Sequence, residues 1–214
     1  MYSNICNLLL LAGVASAAAI YPRDQTAASI ILKMVPESAS CASSSTDCRT
    51  NVQAAPYLIK GFQDYGITSV YEIAAVLSLI AFESGNFVYN VNVSPGRPGQ
   101  GCRNMMEWES GMTDYINSIP TLQTQLAAIS SAPYAQWTSD QMNAGRALVL
   151  PDEYTWAAGA WWLINKCPSA RPLLQAGKMS GWDAYMACDG ESGTDSARLA
   201  YLTAAETAFG ITFS

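Results

Sequence analysis

The 214-residue chain carries 11 Lys and Arg against 17 Asp and Glu, a net charge of −6, and it contains no histidine. Hydrolases built on a histidine base, His-ligated zinc enzymes and haem sites with a histidine axial ligand are excluded, so acid/base chemistry falls to carboxylates, tyrosine or lysine. Nucleic acid and anionic membrane surfaces are repelled on average, and neither is expected as a partner.

The N-terminus opens on the apolar stretch LLLLAGVASAAA, with Ala15-Ser16-Ala17 as an A-x-A cleavage site and Ala19 as a second. It is too short to span a bilayer comfortably, so residues 1–19 are read as a signal peptide and the protein is expected to be secreted. Residues 20–38 are poorly patterned and lead into a Ser/Thr-rich stretch, which reads as a propeptide or linker. Residues 39–214 then form one domain, expected to be monomeric, with enough chain for a substantial core.

Of the six cysteines, Cys6 leaves with the signal and five remain. Cys41 and Cys48 bracket a short polar loop, and Cys167 and Cys188 flank a helical segment; these are the expected pairs in an oxidising compartment, with Cys102 left free. No C-x-x-C pair occurs, and neither a structural metal nor a cofactor is expected.

Helical periodicity dominates the rest. Val52, Ala55, Leu58, Ile59 and Phe62 form a stripe that Gly66 stops. Ser69-Val70-Tyr71-Glu72 reads as a capping box for a helix, IAAVLSLIAF, that is apolar all round and therefore buried. That helix ends in Glu83-Ser84-Gly85. Glu83 is thus carried to the end of a core helix, where burial and the negative end of the helix dipole favour the protonated carboxyl. Such a group is a candidate proton donor for glycosidic cleavage, set against the plainer reading of a solvated Glu in a last turn. The next segment, NFVYNVNVSPGRPGQGCRNMM, is a shaped Gly/Pro-rich loop that can hold a small β-like piece between Asn86 and Asn104. Pro120 opens the helix LQTQLAAIS, a further helix runs from Ser139 to Leu150, and Asp152 caps YTWAAGAWWLINK. Short helices follow around Pro172 to Leu174 and Gly181 to Ala187, and Asp195 caps SARLAYLTAAETAF before Gly210. The expected class is all-α.

Four blocks carry a family resemblance: IAFESGNFVYN from Ile80, PGRPGQGCRNMM from Pro95, LPDEY from Leu150 and WDAY from Trp182. They resemble the blocks I-A-F-E-S-G-x-F-x-Y-N, P-G-x-P-G-Q-G-T-R-N-M-Q, L-P-D-E-Y and W-x-A-Y of secreted fungal muramidases, a group similar to glycoside hydrolase family 184. These belong to the lysozyme superfamily, with soluble lytic transglycosylases and goose-type lysozymes as relatives. The resemblance spans roughly residues 41 to 210. Cys102 stands where the pattern has Thr and Met106 where it has Gln, which puts substrate grip in question more than the proton donor.

The resemblance implies a lysozyme-like fold and a muramidase that cleaves the β-1,4 bond between N-acetylmuramic acid and N-acetylglucosamine, with Glu83 as general acid. It makes Asp152 and Glu153 the leading second carboxylates, although capping accounts for Asp152 without chemistry. Glu107 and Glu109 are weaker candidates. Ser84, Tyr89, Gln100, Arg103, Asn104 and Tyr154 become candidate substrate contacts; for Arg103 and Asn104 pinning of the loop is the slightly favoured alternative. If no carboxylate faces Glu83, cleavage assisted by the substrate N-acetyl group or by a polar-activated water remains. Most of Trp108, Trp137, Trp156, Trp161, Trp162 and Trp182 are expected in packing roles. The partner would be peptidoglycan or a related amino-sugar polysaccharide. Chitinase or chitosanase activity, and a lysozyme-like glycan-binding protein without turnover, are the alternatives.

Overall fold

The structure, a computed structural model, describes residues 26–103 and 111–214. The expected signal peptide, residues 20–25, and Asn104, Met106, Glu107, Trp108 and Glu109 lie outside the described residues. Within them the fold is all-α, and a single antiparallel bridge between Val91 and Gly101 closes the base of the Gly/Pro loop.

The first helix corrects the expected domain boundary. Thr26 caps α1 (Ala27–Met34) by accepting a hydrogen bond from the Ser29 amide at 3.2 Å. Ala27, Ile30, Ile31 and Met34 follow the i, i+3, i+4, i+7 spacing of one helix face, and Ile31, Met34 and Val35 are buried. α1 packs on α2 (Asn51–Asp64) and α11 (Ser196–Phe209), so residues 26–38 fold against the domain that was expected to start at residue 39.

α2 starts from a reciprocal cap between Thr50 and Gln53. Its buried face is Asn51, Ala54, Ala55, Leu58, Gly61 and Phe62; it shares Ala55, Leu58 and Phe62 with the expected stripe, but its phase is turned toward Gly61, which leaves Val52 and Ile59 66% and 43% exposed. Gly61 explains the phase, because a Cβ there would lie 2.8 Å from the Ala157 Cα. Only a residue without a side chain lets the two backbones come this close.

α3 (Val70–Glu83) is the central element, buried from Ala74 to Ala81 and flanked by α11, α8 (Ala158–Asn165) and α9 (Arg171–Gln175). Each aliphatic side chain among Val76, Leu77, Leu79 and Ile80 contributes about 1.5–3 kcal/mol by burial, which fixes the helix and hence its end. The expected capping box does not form. Ser69 occupies the cap position without a side-chain bond, and Glu72, 1% exposed, instead accepts from Arg171 Nε at 2.7 Å and Gln175 Nε2 at 3.2 Å. A carboxylate this deeply buried requires such partners, and the long-range pair wins over the local cap.

α11 runs antiparallel to α3. Arg198 near its start meets Glu83, the Ser78 hydroxyl reaches the Tyr201 carbonyl at 3.4 Å, and beyond its end Phe213 meets Tyr71 edge-on at 5.1 Å. Asp195 caps it and Gly210 closes it in the left-handed conformation, as expected.

α4 (Thr113–Ser118), α5 (Pro120–Ile129, opened by Pro120) and α6 (Ser139–Leu148) form a lobe beside the loop. The expected helix from Asp152 to Lys166 is broken into α7 (Asp152–Thr155) and α8 at Trp156 and Ala157, the point where Gly61 approaches. Asp152 is the first residue of α7, not its cap; Pro151 holds that position. α10 (Met179–Cys188) completes the helices.

Disulfides join Cys41 to Cys48 and Cys167 to Cys188, and Cys102 is free, matching the expected pairing. The pairs are compatible with an extracellular protein. No helix among the described residues is long and apolar enough to cross a membrane. Trp137, Trp156, Trp161, Trp162 and Trp182 are all buried, so these indoles pack the interior and offer no free face to a sugar.

Candidate active site

The end of α3 is a Schellman turn. The Asn86 amide donates to the Ala81 carbonyl at 2.9 Å and the Gly85 amide to the Phe82 carbonyl at 3.1 Å, which makes Glu83 the last helical residue and Gly85 the left-handed one. Asn86 and Phe87 continue at φ 62° and 70°. A bulky residue at positive φ is strained by about 1–3 kcal/mol and persists only where its surroundings over-determine it. Here they do. The Phe87 amide donates to the Ser84 hydroxyl at 3.0 Å, its carbonyl accepts from the Arg49 amide at 3.1 Å and Arg103 Nη2 at 3.0 Å, and its ring meets Trp156 edge-on at 5.0 Å.

Ser84 is therefore a clip inside the turn. It is fully buried, and its hydroxyl donates to the Ile80 carbonyl at 2.6 Å, so a sugar hydroxyl has no access to it. Tyr89 is different. The reversed chain lays its ring over Gly85, 3.0 Å from where a Cβ would sit, and leaves it 44% exposed. An aromatic face thus stands over the turn that follows Glu83.

The Glu83 side chain is 31% exposed and pairs with Arg198, whose Nη2 lies 2.9 Å from Oε1. Arg198 is shared: Nη1 lies 3.1 Å from Glu191 Oε2, and its guanidinium stacks 4.5 Å above the Phe82 ring. The expectation of a proton-loaded carboxyl rests on burial and the helix end alone; the structure adds a guanidinium in direct contact with the carboxyl. Nothing local in the sequence marks Arg198, which meets Glu83 only because α11 returns antiparallel along α3.

The loop is pinned along its length. Asn90 donates to the Leu150 carbonyl at 2.9 Å and accepts from the Thr155 hydroxyl at 2.8 Å. The Gly99 amide donates to Asn143 Oδ1 at 2.9 Å and Arg146 Nη1 to the Gln100 carbonyl at 3.1 Å, so α6 holds the distal half. The Gln100 side-chain oxygen accepts from Asn92 Nδ2 at 2.7 Å, which braces the loop across its width. Cys102 follows. Burial, and after it the charge of Glu83, push its thiol up to about 11, while Arg103 and Arg146 act in the opposite sense. The Cys102 amide donates to the Asn90 carbonyl at 3.2 Å, which holds this end of the loop against the chain that leaves α3.

Behind the loop lies a second charged cluster. Arg103 is fully buried; Nη2 donates to the Asp47 carbonyl at 2.6 Å and to Phe87, and the guanidinium lies 4.5 Å above the Trp156 ring. Burial pushes its pKa down to about 10, partly opposed by Asp152, whose Oδ1 is 3.8 Å from Nη1. Asp152 accepts from Arg49 Nε at 2.8 Å on Oδ2 and from Trp156 Nε1 at 3.0 Å on Oδ1. Both its oxygens are engaged, so the expected second catalytic carboxylate sits inside a hydrogen-bonded charged cluster. Arg103 takes the loop-pinning role of its two expected ones. Glu153 is exposed on the first turn of α7, and Tyr154 is half-buried with its carbonyl accepting from the Tyr115 hydroxyl at 2.7 Å. The structure therefore gathers Glu83, Tyr89, Cys102 and Arg198 at the helix end and leaves Ser84, Gln100, Arg103 and Asp152 as its scaffold.

Fold and site define an all-α domain that presents one glutamate at the end of a buried helix beside a braced Gly/Pro loop. No family model matches the chain, and no solved structure matches it. Over 163 residues, 74% of the chain, it is 40% identical to a bifunctional dioxygenase (DOX)-epoxy alcohol synthase (EAS) of Fusarium oxysporum (strain Fo5176). The matched segment is 12% of that enzyme's length, so the relative is mostly made of sequence this chain does not share.

Proposed function

We propose that the chain is a secreted muramidase that cleaves the β-1,4 bond between N-acetylmuramic acid and N-acetylglucosamine in peptidoglycan, with Glu83 as general acid. The observation that carries this is the placement of Glu83: the last residue of a helix buried on all sides, its carboxyl partly open to solvent, beside the exposed Tyr89 ring and the braced loop. The four muramidase-like sequence blocks support the same reading. Glu83 protonates the glycosidic oxygen as the C–O bond breaks, and the carboxylate left behind is stabilised by Arg198. With both oxygens of Asp152 engaged, the substrate N-acetyl group is the favoured nucleophile for the developing oxocarbenium centre. Sugar-ring stacking falls to Tyr89, since the described tryptophans are buried.

The activities named for the Fusarium oxysporum relative are not carried over, because so small a part of it is matched; the match supports only that a related segment occurs within a fungal enzyme. One observation favours a second reading, glycan binding without turnover: the Glu83 carboxyl is engaged by Arg198 at 2.9 Å. Mass spectrometry of products from purified peptidoglycan, chitin and chitosan decides between them. Muropeptides with reducing or anhydro-muramyl ends support the muramidase; chito-oligosaccharides alone move the activity to chitin or chitosan, and binding with no product from any of the three supports the second reading.

A further inference from the structure

Arg146 stands apart from the other arginines around the loop. Arg49 and Arg103 face Asp152, and Arg198 faces Glu83 and Glu191. Arg146, on the last turn of α6, is within ion-pair distance of no carboxylate among the described residues. Its Nη1 is spent on the Gln100 carbonyl, and its Nε is buried without a hydrogen-bond partner among the described residues. A half-buried guanidinium in a chain of net charge −6 has acidic partners available elsewhere, and leaving it unmatched costs stability. Burial lowers its pKa, with the charge of Asp47 and the Cys102 thiol acting the other way.

Its position gives the vacancy a use. The side chain reaches across to the strand Gln100–Cys102, and Cys102 feels both the positive charge of Arg146 and the negative charge of Glu83. The Cys102 amide bond to the Asn90 carbonyl, 3.2 Å, holds the segment that Arg146 braces against the chain leaving the turn after Glu83.

We infer that Arg146 is a specificity-determining residue that receives a carboxylate of the substrate next to Glu83, so that the site selects anionic peptidoglycan strands, with their muramyl and peptide carboxyl groups, over neutral chitin. This rests on the glycan-cleaving reading of the same site. A guanidinium and a carboxylate form a charge-assisted pair that is stronger than a neutral hydrogen bond. The sign is also what an acidic protein needs, since its mean field repels the same substrate.

Binding measured without turnover tests the inference. Glu83→Gln protein is titrated calorimetrically with a soluble disaccharide-peptide fragment of peptidoglycan and, separately, with chitotetraose; the same is done after adding Arg146→Gln or Arg146→Lys, each checked for an unchanged melting temperature. Arg146→Gln is expected to weaken the anionic fragment by about tenfold to a hundredfold and leave chitotetraose unchanged. Arg146→Lys recovers most of the loss, and the salt dependence of fragment binding flattens in the Gln variant. Equal losses on both probes reduce Arg146 to a loop brace and overturn the inference while the glycan reading stands. Failure of the parent protein to bind either probe removes the glycan reading itself, and the inference with it.

Discussion

Replacing Asp152 separates an anchor from a catalyst. Asp152→Ala removes the acceptor of Arg49 Nε at 2.8 Å, the acceptor of Trp156 Nε1 at 3.0 Å, and the charge 3.8 Å from the fully buried Arg103. A hydrogen bond to a charged group contributes about 1.5–3 kcal/mol, at the low end here because Arg49 and Asp152 side chains are 29% and 18% exposed. The indole bond adds about 1 kcal/mol. Arg103 keeps its two carbonyl acceptors, so the loss of its counter-charge stays well short of the full cost of an uncompensated buried ion. The sum is about 3 kcal/mol, or roughly 6–12 °C in Tm for a domain of this size. Asp152→Asn keeps an acceptor for Trp156 and is expected to lose about 2 kcal/mol. Thermal and urea unfolding followed by circular dichroism give the stability, and turnover is measured well below the transition. Activity per folded molecule should stay near wild type, because Glu83 is held by α3 and α11. A wild-type Tm combined with a loss of turnover of two orders or more would refute the anchoring role and make Asp152 a chemical participant.

Other consequences follow from the same packing. With its thiol raised to about 11, Cys102 is expected to react with iodoacetamide at pH 8 at least about tenfold more slowly than a free cysteine, and Cys102→Thr should fold normally; alkylation at the free-thiol rate contradicts the burial described. Gly61→Ala gains about 1 kcal/mol of helix propensity but sets a methyl group 2.8 Å from the Ala157 Cα, a backbone atom, so a net loss of about 1–2 kcal/mol is expected in urea unfolding. A more stable variant would mean that α2 and the α7–α8 break can separate at little cost. Burial raises the phenols of Tyr65, Tyr115, Tyr185 and Tyr201 above the ordinary 10.0. The folded state then keeps protons that the unfolded chain releases, so their stabilisation is complete below pH 10 and declines above it. Arg103 and Arg146 work in the opposite sense above about pH 10, since burial lowers them from 12.5, but four phenols outweigh two guanidiniums. The urea midpoint should fall between pH 9 and 11; a rise would show that the arginines dominate.

How far the sequence could be read depended on whether each signal was local. The central helix and its terminal Glu83 were legible because ten successive apolar or small residues followed by Ser-Gly leave little choice of structure or stop. The disulfides were legible from loop brackets. The role of Ser69-Val70-Tyr71-Glu72 was misread because the partner of Glu72 is Arg171, far along the chain, and a buried ion pair overrides a local cap. α1 was hidden for the same reason: its apolar face has meaning only against α2 and α11. The phase of α2 and the break after Thr155 both follow from the approach of Gly61 to Ala157, which no periodicity reveals. At the site, Glu83 and Tyr89 were in sight, whereas Arg198 and Arg146 were not, since their significance comes from α11 and α6 returning to the end of α3 and to the loop.

Turnover of purified peptidoglycan by wild type and Glu83→Gln, followed by mass spectrometry of released muropeptides, tests the proposed chemistry most directly. Glutamine keeps the size of the side chain and can still face Arg198, but it carries no transferable proton. Release should fall by about two to four orders of magnitude with the Tm nearly unchanged. Wild-type rates from pure Glu83→Gln protein would contradict the assignment of Glu83 as the general acid.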